Sequence, residues 1–209
     1  MTAAELVQML GWRLGDRDDL EARMDAELDF VQDYILEAKE WTPWFLLSEE
    51  LSMTAATGSR ALDLPDDFIA EEESSQLWLE LPDGSTIELQ KMDFDIAARK
   101  YVGTGQPVVY ARKGLNYQLF PLPDLDYTLY HHYYQKGERI RTAPSSKWLT
   151  HAGDVVMAEL GKILAEKHIK DAAAAGGFAA DAQTAWNRLY HKHVAQQEIN
   201  QARSMGGNS

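Results

Sequence analysis

The chain has 209 residues, no cysteine and a formal net charge of −13, enough length for one cored domain or two small lobes and no means of making a disulfide or a thiolate metal site. Residues 1–100 carry 24 acidic and 8 basic side chains (−16) and residues 101–209 carry 9 and 12 (+3), so counterion release cannot drive DNA onto the first half. The start "MTAAELVQMLGWRLGDRDD" lacks a signal peptide's basic start and apolar run, and no apolar stretch approaches the ~20 residues of a membrane span; the expectation is a soluble, intracellular product.

The first elements are helical. Ala3, Leu6, Val7 and Leu10 make one stripe over residues 2–12. A second helix is predicted from Asp18 or Asp19, whose carboxylates suit exposed amides at a helix start. Its apolar positions Leu20, Met24, Leu28, Val31, Ile35 and Ala38 recur every three or four residues, and Glu27, Phe30 and Tyr34 form a partly aromatic flank. Pro43 disfavours a helical conformation at Thr42, so the helix ends before it.

From residue 51 the period becomes two. "LSMTAAT" and "RALDL" flank Gly58-Ser59, which predicts a hairpin, and "LWLEL" and "TIEL" flank the stronger turn "PDGS". "DFDIAARKY" reads as a short helix before the break "GTGQP". Three strand-like runs follow: "VVYAR", "LNYQLF" and "YTLYHHYYQ".

After "KGERIRTAPSS" the helical period returns, with Leu149, Ala152, Val156, Leu160, Ile163 and the stem of Lys167 on one face. "AAAAGGFAAD" predicts a break between two helices, because adjacent glycines disfavour a helix interior. The last helix carries Ala182, Ala185, Trp186, Leu189 and His193 on one stripe. Beyond it, "QQEINQARSMGGNS" offers only Ile199, Ala202 and Met205 for burial, too little to offset ~1–2 kcal/mol of backbone entropy per residue. The predicted class is α+β: a bundle of N- and C-terminal helices with an antiparallel β lobe inserted between them. The predicted parts are N-terminal helices over 1–50, a β lobe over 51–135, C-terminal helices over 136–195 and a C-terminal arm over 196–209, mobile until a partner orders it.

Catalytic constellations are absent. His131 and His132 point to opposite faces of a strand, and His191 and His193 lie about 200° apart on a helix. Neither pair chelates a metal in regular structure, and no HExxH occurs. "GTGQP" lacks the third glycine and the helix of a dinucleotide loop, and there is no GxSxG. The carboxylates "DD" at 66–67 and "EEE" at 71–73 read as solvated edges or caps. The basic run "KGERIRTAPSSK" at 136–147 reads as a surface loop, with contact to phosphate or to an acidic partner as the alternative. No catalytic, cofactor-binding or metal residue is assigned, and no cofactor.

Three blocks carry a resemblance. They are the helix ending in "EWTPWFLL" with "SMTAATGSRALDLPDDF", then "GQPVVYARKGLNYQLFPLPDLDYTLYHHYYQ", then "WLTHAGDVVMAELGKILAEKHIKD". In this order and spacing, over about residues 17–171, the chain resembles the head-to-tail adaptor (connector) proteins of tailed bacteriophages. The resemblance implies a non-enzymatic virion protein of the head–tail junction, assembled in the host cytoplasm. It forms a ring with itself, usually a dodecamer, beneath the portal protein. There it seals or extends the DNA channel and gives tail proteins (tail tube, nozzle or stopper) a platform. Genomic DNA passes without specific binding, and no membrane is involved.

On this basis the portal contact is placed on the arm, at Ile199, Arg203 and Met205, and the subunit interface at Trp41, Trp44 and Tyr110, because aromatic anchors suit lateral contacts. For each aromatic the competing expectation is the core of its own subunit. Two other functions remain open at this level: an adaptor with added peptidoglycan hydrolase activity, and a soluble phage-encoded module that binds a host protein.

Overall fold

The computed structural model describes residues 1–37, 39–48, 51–72, 77–143 and 146–206, without the side chains of Asp18 and of residues 200–206. Of the residues named above, Ala38, Glu73, residues 144–145 of the basic run and residues 207–209 of the arm lie outside it. Contacts divide the chain into a helical unit, Met1–Leu46 with Gly137–Ser209, and a β unit, Leu47–Lys136. The α+β class predicted from the change of period holds.

In the helical unit, α1 (Ala3–Arg13) starts at a capping box, in which the Thr2 hydroxyl accepts from the Glu5 amide and the Glu5 carboxylate accepts from the Thr2 amide. α2 (Glu21–Glu37) follows a single 3-10 turn at Asp18–Leu20 and buries Met24, Leu28, Val31 and Ile35. The third helical pattern divides at Ala152, whose φ of −138° separates α4 (Lys147–His151) from α5 (Gly153–Leu164). α5 lies at the centre, in contact with α1, α2, α4 and the last helix. It is apolar nearly all round for that reason.

The break expected within "AAAAGGFAAD" is not there. A π-helical turn, Ala165–Ile169, ends at Lys170 in the left-handed conformation (φ 60°), and α6 then runs unbroken from Ala172 to Gly206. Packing on α5 supplies more than two glycines remove: Ala175, Phe178, Ala182, Ala185, Trp186 and Leu189 are all buried. The glycine that packing demands is Gly161 on α5, where a Cβ would stand 2.5 Å from the Phe178 ring.

In the β unit a seven-stranded sheet runs β1 (Leu51–Ala55), β8 (Tyr127–His131), β4 (Leu77–Glu80), β5 (Thr86–Lys91), β6 (Val109–Lys113), β7 (Asn116–Phe120), β2 (Ala61–Asp63). A separate pair joins β3 (Phe68–Glu71) to β9 (Tyr133–Gln135). The turn at Gly84 (φ 81°) closes the β4–β5 hairpin as predicted, and a turn at Gly114 (φ 66°) closes a β6–β7 hairpin. Phe120–Pro121 is cis.

Two expectations fail here. β1 and β2 do not form a hairpin about Gly58-Ser59; β1 pairs with β8 and β2 with β7, at opposite ends of the sheet. The six chain steps from Ala55 to Ala61 reach at most about 21 Å, whereas a flat seven-stranded sheet is about 29 Å wide. The sheet therefore rolls, bringing its two edges together. The lobe is also not wholly antiparallel: β5 and β6 pair in parallel at Gln90–Val109 and Lys91–Tyr110, joined through α3 (Phe94–Lys100).

That crossover explains why β6 is buried on both faces. Tyr110 points into the roll with Leu77, Leu79, Leu89, Tyr117, Leu119 and Leu129. Val109 and Ala111 point the other way, against α3, with Ala97 and Phe120.

Candidate functional site

The helical unit carries an aromatic seam. Trp41 stands edge-on to Trp186 (5.9 Å between ring centroids) and to Tyr190 (5.5 Å), and stacks on His193 (5.0 Å, 27°). The Trp186 indole donates to Glu159 at 2.9 Å, which gives this buried carboxylate one partner inside the α5–α6 interface. Burial holds the His193 imidazole below its ordinary titration range. Next to the seam, Trp44 meets Phe45 (5.3 Å) and His151 (5.8 Å), and Phe45 packs edge-on to the buried Trp148 (5.1 Å).

Trp41 and Trp44 are thus half-buried in their own unit, each with part of its ring on the surface. Tyr110 is placed differently. It is 2% exposed, edge-on to Tyr117 at 5.2 Å, and its hydroxyl is pushed up to about 12 by burial and by Glu71 and Glu88. Its side chain offers a neighbouring subunit almost no surface.

His193 is also the last buried residue among the described side chains of α6; from Val194 to Ile199 no side chain is buried. The predicted arm is therefore a helical extension rooted at the Trp41–His193 stack. Ile199 is 44% exposed on it. The backbone at Arg203 and Met205 is helical, and their side chains lie outside the described part.

The basic run proves to be engaged within the chain. Arg139 pairs with Asp33 at 2.7 Å and Arg141 with Asp25 at 3.0 Å. Between them the buried Gln32 amide donates to the Glu138 carbonyl (3.2 Å) and accepts from the Ile140 amide (2.9 Å). Residues 137–143 are a strap held down on α2. A polar Gln32 inside the apolar stripe of α2 was a weak signal for it.

A cavity of about 180 Å3 in the helical unit is lined by Arg13, Asp154, Met157, Asp181, Thr184 and Arg188, and Arg13 there is paired with Asp181. In the β unit the Tyr117 hydroxyl meets His131 Nε2 at 2.9 Å in the interior of the roll. His168 bridges Arg23 (2.8 Å) and Glu27 (3.2 Å). Among the described residues no group of three His, Asp or Glu could hold a metal ion, and no helix is long and apolar enough to cross a membrane.

No curated protein matches the sequence. The model of the SU10 adaptor protein family matches residues 1–208, nearly the whole chain, helical unit and β unit alike. The chain therefore belongs to the SU10 adaptor protein family, in keeping with its resemblance to phage head-to-tail adaptors.

Proposed function

We propose that the chain is a structural subunit of the phage head–tail junction. Copies of it form a ring beneath the portal, twelve as the resemblance implies, which extends or seals the DNA channel and gives tail proteins their platform. The observation that carries this is the family match over residues 1–208.

Features of the geometry support it. The end of α6 leaves the bundle as a helix without a buried face among its described side chains, the form of an element that seats on a partner. The portal contact is placed there, on Ile199, Arg203 and Met205. Trp41 and Trp44 have ring surface left for a lateral neighbour. Tyr110, enclosed in its own sheet, serves that contact only by holding the roll in shape. The strong negative charge suits a channel wall that DNA passes without sticking. No reaction is assigned to the chain.

The test mixes the purified chain with portal assemblies, using the full-length form and one lacking residues 196–209. Electron micrographs are expected to show a ring added to the portal by the full-length chain and none by the truncated one, with both melting alike. A full-length chain that leaves portals bare overturns the adaptor role. A truncated chain that binds as well as the whole moves the portal contact off the arm.

A further inference from the structure

A ring of subunits that each carry −13 is favoured when its seams bring unlike charges together, because like surfaces repel. Two surfaces of this chain answer that need, one in each unit.

The first is the outward face of α2. Residues 18–40 hold nine acidic and two basic side chains. Asp25, Asp33 and Glu27 are engaged by Arg141, Arg139 and His168. Among the described residues no ion pair takes Glu37 or Glu40, both exposed. On the same face Phe30 (47% exposed) and Tyr34 (38%) stack with their centroids 6.4 Å apart. Lys167 Nζ already lies 4.5 Å above the Phe30 ring, so this aromatic surface receives a cation within the chain.

The second surface is the layer of α3 and the β6–β7 hairpin. Residues 93–120 contain four basic side chains and two acidic ones, Asp93 and Asp95 at the start of α3. Arg99 and Lys100 are exposed on α3, as are Arg112 and Lys113 on the hairpin. Lys113 Nζ stands 4.1 Å over the Phe94 ring, tying the hairpin tip to the start of α3. Between these charges lie bare apolar groups: Ile96 (51% exposed), Val102 (80%) and Leu115 (78%). Exposed apolar side chains in a patch of net positive charge suit an apolar, oppositely charged partner.

We propose that these two surfaces are the two sides of one seam, so that the α2 face of one copy receives the α3–hairpin layer of the next. The partner is a second copy of this chain. The surfaces differ, so the contact is head-to-tail, and a head-to-tail contact closes into a ring when its rotation allows. The acidic-aromatic face supplies the anions and the stacked rings, and the net-basic layer supplies the cations and the exposed aliphatic groups. The proposal rests on the reading of the chain as a ring subunit.

The experiment uses three full-length proteins: wild type, Lys100→Glu/Lys113→Glu, and Glu37→Lys/Glu40→Lys. All changes are on exposed side chains, and melting curves check that each folds. Sedimentation velocity at low salt is expected to show wild-type assembly. Each reversed protein alone should need at least about tenfold more protein to assemble, since at the changed positions its seam now sets like charge against like. An equal mixture of the two should assemble again, because at those positions every seam of an alternating ring then pairs unlike charges. Wild-type assembly with reversed proteins that assemble equally well, or with a mixture that does not recover, overturns the seam and leaves the ring standing. A wild type that stays monomeric both alone and on portals overturns the ring and the seam with it.

Discussion

The ring of Trp41 lies on the imidazole of His193, 5.0 Å between centroids and 27° between planes. Beyond that stack the described side chains of α6 are no longer buried, so one aromatic contact fixes where the extension leaves the bundle. Burial lowers the His193 titration range. The unfolded chain takes up a proton near pH 6.5, while the folded chain refuses it until a lower pH. Stability is therefore full above about pH 6.5 and falls as pH drops toward the folded value. Melting temperature followed from pH 8 to pH 5 should fall only in the acid half. His193→Phe, which keeps a ring against Trp41, should flatten that fall. An unchanged slope would pass the effect to His151, which burial and the nearby Lys147 and Lys192 also lower.

Two glycines should respond in opposite directions. Gly161→Ala drives a methyl to 2.5 Å from the Phe178 ring, itself enclosed between α5 and α6, and is expected to cost about 1–3 kcal/mol. Gly177→Ala meets nothing within 4 Å and should stabilise α6 by about 0.5–1 kcal/mol. Urea titrations of both variants decide it; a Gly161→Ala protein as stable as wild type would mean that α6 does not pack this closely.

Gln32 should matter more than the two ion pairs beside it. Gln32→Ala leaves the Ile140 amide and the Glu138 carbonyl without the partners they have now, at an expected cost of about 1–3 kcal/mol. Removing Arg139 or Arg141, both pairs being half-exposed, should cost no more than about 1 kcal/mol. Trypsin cleavage after Arg139 and Arg141 should quicken in Gln32→Ala. Equal cleavage rates in the two proteins would mean that something else holds the strap.

Tyr117→Phe should weaken the β unit without opening it. The ring remains, packed edge-on to Tyr110 and to His131, and only the hydroxyl that meets His131 is lost. A loss of about 1–2 kcal/mol is expected, with the β-sheet circular dichroism unchanged. A variant as stable as wild type would assign that hydroxyl no part in holding the roll.

Local chemistry determined which segments are helix and which are strand. The stripe through Leu20, Met24, Leu28, Val31 and Ile35 needs no knowledge of a partner to be amphipathic, and Asp83-Gly84 needs none to turn. The family resemblance also lay in the ordered sequence blocks. Tertiary structure decided who pairs with whom. The alternation in "LSMTAAT" and "RALDL" marks two strands, but strand partners are settled by burial across the whole sheet, so β1 joined β8 and β2 joined β7. Glycine propensity argued for a break at 176–177, and contact with α5 along the buried face of α6 outweighed it. The fate of the basic loop was barely legible, a polar Gln32 in an apolar stripe apart, because Asp25, Gln32 and Asp33 lie more than a hundred residues before the groups they hold. Charge and period are local properties of a chain, whereas partners are set by the burial that only the folded whole can arrange.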